Sequence, residues 1–281
     1  MFEEITLGCP DGYGCYARLF SAESCLGSVL YLHGIQSHCG WYEESARRLQ
    51  QAGFTVLQLD RRGSGRNQRD RGHADSSEQL IADAFAGLDV LEARTGHRRH
   101  HLLGVSWGGK LAAAMHVTRP ERSASLILVT PGLYPKIGVS KSEMFRIGLS
   151  MLGAPHRLYD IPLNDVELFT RVPERLQFLR TDPLQIHQAT AGFYLASRRM
   201  DRVWKELGTV KPVPLHLLLA EDERIIDNES TRNFVRGIHW PDTRITTYLN
   251  SRHTLEFDPD RESYLQDLVE WMGQPEQAAK V

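Results

Sequence analysis

No stretch of this 281-residue chain approaches the ~20 consecutive apolar residues that a membrane-crossing helix needs, so no spanning segment is expected. Charge of one sign is also missing. Thirty-three Lys and Arg stand against 35 Asp and Glu, a formal net charge of −2, which argues against a nucleic-acid-binding surface. Cysteine is scarce: Cys9, Cys15, Cys25 and Cys39 all precede Gly40, at spacings that match no C-x-x-C zinc or redox pattern. They read as reduced structural thiols of a cytoplasmic protein, with no metal site and no disulfide framework. Internal repeats and low-complexity tracts are absent, and Met1-Phe2-Glu3-Glu4 lacks the apolar core of a signal peptide. What remains is an ordinary globular composition, 41% hydrophobic and 24% charged. The length suits one α/β domain carrying an insertion.

The hydrophobic pattern alternates between two periods. Glu3 to Leu7 and Cys15 to Phe20 flank the turn Pro10-Asp11-Gly12-Tyr13-Gly14 and read as a hairpin. Apolar runs follow at Ser28 to Leu32, Phe54 to Leu59, Leu102-Leu103, Ser125 to Thr130, Leu215 to Ala220 and Arg244 to Leu249. Helical spacing separates them at Trp41 to Ala52, at a long helix capped by Ser76-Ser77-Glu78 and closed at Thr95-Gly96, at Glu229 to Gly237 and at Asp260 to Met272. Eight strands alternating with helices predict a mostly parallel sheet covered on both faces, with the N-terminal pair as an antiparallel edge. From Tyr134 to Lys205 the strand signal stops. Helical pieces at Ser142 to Leu152, Pro173 to Leu179 and Pro183 to Arg199 take over. The division expected is a core of residues 1–133 and 206–281 with a helical cap at 134–205.

The chemistry centres on Gly104-Val105-Ser106-Trp107-Gly108, placed between an apolar strand and a helix-favouring stretch. G-x-S-x-G there is the pattern of a nucleophile elbow, a sharp turn that lifts the serine above the sheet. Small residues two before and two after let the chain fold back on itself. A serine needs a base, and the base needs an orienting acid. In an elbow protein the chain order is Ser, acid, His. His253 follows the last strand and precedes the last helix, where the base belongs. His100 and His101, at the wrong end of the elbow strand, and His216, within a strand, read as structural. The loop Glu221-Asp222-Glu223-Arg224-Ile225-Ile226-Asp227 offers four carboxylates, and periodicity does not choose among them; Asp227 and Glu229 also suit the capping of the next helix. For the oxyanion, Trp107 should give one N–H, and the loop His33-Gly34-Ile35 should give the other through Ile35, with Gly34 allowing close approach.

With Ser106, a carboxylate loop, His253 and His33-Gly34 in order, the chain resembles the α/β-hydrolase superfamily, and within it the monoacylglycerol lipase and lysophospholipase-like group. The marks are Leu32-His33-Gly34-Ile35 with Gly40-Trp41-Tyr42, the turn Asp60-Arg61-Arg62-Gly63-Ser64-Gly65, the elbow, Leu217-Leu218-Leu219-Ala220 leading into Arg224-Ile225-Ile226-Asp227, and His253-Thr254-Leu255. In that group the acidic loop reads Gly-x-Asp-x-Ile-Val. The resemblance therefore implies Glu223 as the acid, a Glu in place of Asp, with Asp222 as the alternative. The turn after Asp60 departs from the group at Gly65-Arg66-Asn67, and that turn is expected to be structural. The resemblance further implies a cofactor-free carboxylic ester hydrolase that works through an acyl-enzyme on a small-molecule or lipid-like ester. Amide, peptide or C–C bond hydrolysis on the same triad is the alternative; a non-catalytic binding protein would be favoured only if serine, base or acid were missing.

The cap sets the substrate. It carries eleven Lys or Arg against seven Asp or Glu, together with apolar residues such as Phe145, Met151, Phe169 and Phe193. Those apolar residues suit the cap's own core, or an acyl tunnel with a basic rim. Basic residues interrupt the pattern, so a membrane-inserting lid is not expected.

Overall fold

The structure is a computed structural model, and it describes residues 1–274. Residues 275–281, the end of the expected second core segment, lie outside the described residues. In chain order the strands and helices run β1 (Glu3–Gly8), β2 (Gly14–Phe20), β3 (Gly27–Leu32), α1 (Glu43–Gln51), β4 (Phe54–Leu59), α2 (Ser77–Thr95), β5 (His100–Val105), α3 (Trp107–Thr118) and β6 (Ser123–Val129). They continue with α4 (Lys141–Ser150), β7 (Leu158–Asp160), α5 (Pro173–Thr181), β8 (Gln188–Thr190), α6 (Ala191–Trp204), β9 (Leu215–Ala220), α7 (Asn228–Gly237), β10 (Thr243–Tyr248) and α8 (Arg261–Met272).

Eight strands form one sheet in the order β1-β2-β4-β3-β5-β6-β9-β10. The first two are antiparallel to their neighbours, and β4, β3, β5, β6, β9 and β10 all run parallel. Parallel strands are apolar along their whole length when helices cover both faces. Every residue of β3, β4, β5, β6 and β9 is accordingly buried. Each such leucine stabilises the fold by ~1.5–3 kcal/mol relative to exposure. Caps fix the helix ends: Ser76 accepts from Gln79 N–H to start α2, and Gly96, left-handed at φ 76°, ends it.

Two elements differ from the sequence reading. Trp41 does not begin α1; Cys39–Tyr42 form a separate 3₁₀ turn whose aromatic residues are buried, and α1 starts at Glu43. In the segment between β6 and β9, the expected helix from Pro183 begins only at Ala191, where Thr190 caps it. Before it, β8 pairs antiparallel with β7. Strands of three residues are too short to display an alternating pattern, which is why neither was legible. His100, His101 and His216 are buried in the sheet, where burial pushes their pKa values down to about 3, 4 and 3. They are neutral packing groups with serine or threonine hydroxyls as partners.

Candidate active site

The carboxyl end of β5 delivers the elbow. Ser106 has φ 53° and ψ −120°, a conformation that L-residues rarely adopt and that costs about 1–3 kcal/mol. The turn is held by Ser106 N–H to Val129 O (2.9 Å) and Gly132 N–H to Ser106 O (2.7 Å). Glycine on either side is required by space. A side chain at Gly104 would strike the Gly108 carbonyl, and one at Gly108 would strike the Leu32 and His33 carbonyls. Trp107 is the first residue of α3, so its N–H has no acceptor within the helix.

The acidic loop after β9 resolves between its carboxylates by direction. Glu223 Oε2 lies 2.8 Å from His253 Nδ1, and both side chains are buried. The other oxygen, Oε1, accepts from the N–H groups of Ile225 (2.8 Å) and Ile226 (3.3 Å), which fix the carboxylate in place. Asp222 turns outward to Arg171, Arg224 and Arg252. Burial would raise its pKa, but hydrogen bonds from Arg224 and Arg252 outweigh this and hold it low. Asp227 caps α7 instead. With the Nδ1 proton directed at Glu223, His253 keeps its Nε2 lone pair, and that atom is buried without a hydrogen-bond partner. Thr130 anchors the backbone of the same residue through Oγ1 to His253 O (2.9 Å). Ser106 and His253 are not joined by a direct hydrogen bond among the described residues.

The loop after β3 approaches Ser106 from the other side. A Cβ placed on Gly34 would lie 3.3 Å from Ser106 Cβ and 3.6 Å from its Oγ, so only glycine keeps the backbone this close without displacement. Gly34 N–H is already donated to Ser37 Oγ (2.9 Å). The next N–H, that of Ile35, has no hydrogen-bond acceptor among the described residues. His33 is fully buried and burial pushes its pKa down to about 3. Its Nε2 accepts from Arg61 N–H (3.0 Å), so the proton is on Nδ1, which donates to Gly34 O (2.7 Å). Ile35, Ser106 and Trp107 line one cavity of about 290 Å³. Its walls are mainly apolar, among them Ile137, Val139, Met144, Ile161, Leu163 and Ile226, with Lys110, Ser197, Arg198 and Asp201 at one side. Lys110 Nζ is 2.6 Å from Asp201 Oδ1, which also accepts from Trp204 Nε1 (3.0 Å).

Residues 24–260 match the Hydrolase_4 family, described as serine aminopeptidase, S33. The chain belongs to this family. It is a serine hydrolase with the α/β-hydrolase fold. It is 22% identical to the monoglyceride lipase of Homo sapiens over 94% of this chain and 88% of that protein. It is 24% identical to an uncharacterized abhydrolase domain-containing protein of Dictyostelium discoideum over 91% of this chain. The chain spans only 27% of that protein's length. The crystal structure of the Paleococcus ferrophilus monoacylglycerol lipase superposes with a TM-score of 0.84 at 21% identity, covering 95% of this chain and 99% of that one.

Some residues around the hydrolase's site were not evident in the sequence. Thr130 looks like the end of a buried strand, yet it has φ 38° and holds the His253 loop. Glu256 lies in the 3₁₀ turn Leu255–Phe257 that follows His253. Its Oε1 accepts from Ser45 N–H (2.9 Å), and its Oε2 is buried with no partner. Burial pushes the carboxyl up to about 7 from the ordinary 4.5. The fold thus favours the protonated form. The stability this lends is complete below pH about 4.5 and is lost as pH rises through about 7. Wild type is therefore expected to lose up to about 3 kcal/mol between pH 5 and pH 8 relative to Glu256→Gln, in denaturant unfolding at each pH. Parallel pH profiles for the two proteins would contradict this assignment.

Proposed function

We propose that this hydrolase cleaves carboxylic esters of apolar acyl groups with glycerol-like or lysophospholipid-like alcohols, through an acyl-enzyme on Ser106. Residues 134–205 serve as the cap and residues 1–133 and 206–281 as the core, and the cytoplasm is the proposed location. Ser106 Oγ attacks the ester carbonyl while His253 Nε2 takes its proton. Glu223 accepts the Nδ1–H and stabilises the imidazolium, and Asp222 has no part. The N–H groups of Ile35 and Trp107 receive the developing oxyanion, an effect worth several kcal/mol. Collapse of the tetrahedral intermediate expels the alcohol, protonated from His253 Nε2–H. Water then repeats the sequence on the acyl-enzyme and releases the acid.

The observation that carries this reading is the buried 2.8 Å contact between Glu223 and His253, beside a strained serine that opens into an apolar cavity. The family description names an aminopeptidase, but the cavity is ill suited to a substrate ammonium. Asp201 is the one carboxylate among its lining residues, and Lys110 already neutralises it. Arg198 adds a guanidinium with no ion-pair partner among the described residues, leaving that side of the cavity net positive. Neutral or anionic head groups fit such a wall.

The test compares a 1-acylglycerol, the corresponding 1-acylglycerol phosphate and the matched fatty amide, in wild type and Arg198→Gln. Ester turnover should exceed amide turnover at least about 100-fold, from the poorer leaving group of the amide. Arg198→Gln should lower kcat/KM for the phosphate-bearing ester about 10-fold, the loss of roughly 1.4 kcal/mol. The neutral ester should change less than about twofold. Equal effects on both esters would remove Arg198 as a head-group contact; preferred amide turnover would refute the esterase reading.

A further inference from the structure

Arg61 was expected to belong to a structural turn, but its side chain runs to the loop that carries Ile35. It is only 5% exposed. Its Nη2 donates to Ile35 O (2.9 Å). The guanidinium carbon lies 4.4 Å from the ring centre of Phe193, on α6, and 5.0 Å from that of Trp107, within cation–π range of both. Its Nε and Nη1 are buried with no hydrogen-bond partner. A guanidinium so placed is costly to bury. Burial pushes its pKa down to about 9, which leaves it protonated at neutral pH.

We propose that Arg61 is the positioning residue of the oxyanion hole, holding the Ile35 N–H on target through the Ile35 carbonyl. This rests on the reading of Ile35 as an oxyanion donor. A peptide group is planar, so the Ile35 N–H turns with the Gly34 carbonyl, and the Ile35 carbonyl turns with the Gln36 N–H. His33 Nδ1–H holds the carbonyl of the peptide before Ile35, and Arg61 holds the carbonyl of the peptide after it. The two bonds together fix both backbone torsions of Ile35. The same arginine secures His33, because its backbone N–H binds His33 Nε2. Its charge also sits one peptide away from the site where negative charge develops, in low-dielectric surroundings where such charge counts most. Phe193 and Trp107 cover it, so α6 helps to hold the arginine against the loop.

The test is steady-state kinetics on a p-nitrophenyl acyl ester, with Ser106 labelled by a fluorophosphonate in parallel. Arg61→Met keeps the stem and removes both the charge and the donor. It should lower kcat about 30-fold, less than the loss of an oxyanion donor itself, and leave KM within about twofold. Affinity for an alkylboronic acid, which forms a tetrahedral adduct on the serine, should weaken by the same factor. Arg61→Lys keeps a charge and should lose about threefold to tenfold in kcat. A folded Arg61→Met with kcat within twofold of wild type, or with KM raised and kcat unchanged, would overturn the proposal. If Arg61→Met fails to fold, an unchanged kcat in Arg61→Lys overturns it. Wild type that neither labels nor turns over ester would refute the Ser106 reading itself, and the role of Arg61 with it; a labelled, active wild type isolates the Arg61 result.

Discussion

Ser106→Ala is expected to lower ester turnover by about 10⁶-fold with little change in substrate affinity. That is the scale seen when the nucleophile of such a triad is removed. The size follows from the division of labour. In the proposed triad His253 and Glu223 act only through the serine oxygen, so once that oxygen is gone neither proton transfer nor imidazolium stabilisation has a target. What survives is binding and oxyanion stabilisation of a water attack, a residual of roughly 10³–10⁴ over the uncatalysed reaction. The substitution leaves the strain in place, since alanine shares the cost of φ 53°, and it adds no new contact. Stability should therefore be unchanged, measured by thermal unfolding. A loss below about 10²-fold would mean that another group carries the attack.

Glu223→Gln should lower kcat by about 10⁴-fold. The amide can still accept from the N–H groups of Ile225 and Ile226 through its oxygen, so the loop should remain in place. Its NH₂ group would then face His253 Nδ1 and favour the tautomer with the proton on Nε2, which removes the base. The comparison variant is Asp222→Asn, for which less than about threefold is expected. That side chain faces three arginines and its interactions are partly exposed. Kinetics of both variants on one ester decide between the two carboxylates. A larger effect at Asp222 than at Glu223 would reverse the assignment.

Much of the fold is legible in the sequence because each parallel strand is buried on both faces. Runs such as Leu215 to Ala220 announce themselves by apolarity, and Ser76 and Gly96 mark the ends of α2 by residue type. The elbow is equally open, because backbone crowding at Gly104 and Gly108 dictates glycine locally. The choice between Asp222 and Glu223 is different. Adjacent residues differ only in the direction of their side chains, and that direction is set by the turn geometry and by Arg252 and His253 some thirty positions away. Arg61 was hidden for the same reason: its partners Ile35, Trp107 and Phe193 are distant in the chain and meet only when the segment between β6 and β9 folds over the sheet. The β7–β8 pair was lost to its brevity.

The central claim is that Ser106 is the nucleophile of an acyl-enzyme. Its most direct measurement is intact mass after incubation with a fluorophosphonate, followed by peptide mapping of the adduct. One phosphonyl group per chain, located on Ser106, absent in Ser106→Ala and sharply slowed in His253→Ala, is the predicted result. No adduct on the wild type, or an adduct on another residue that persists in Ser106→Ala, would contradict it.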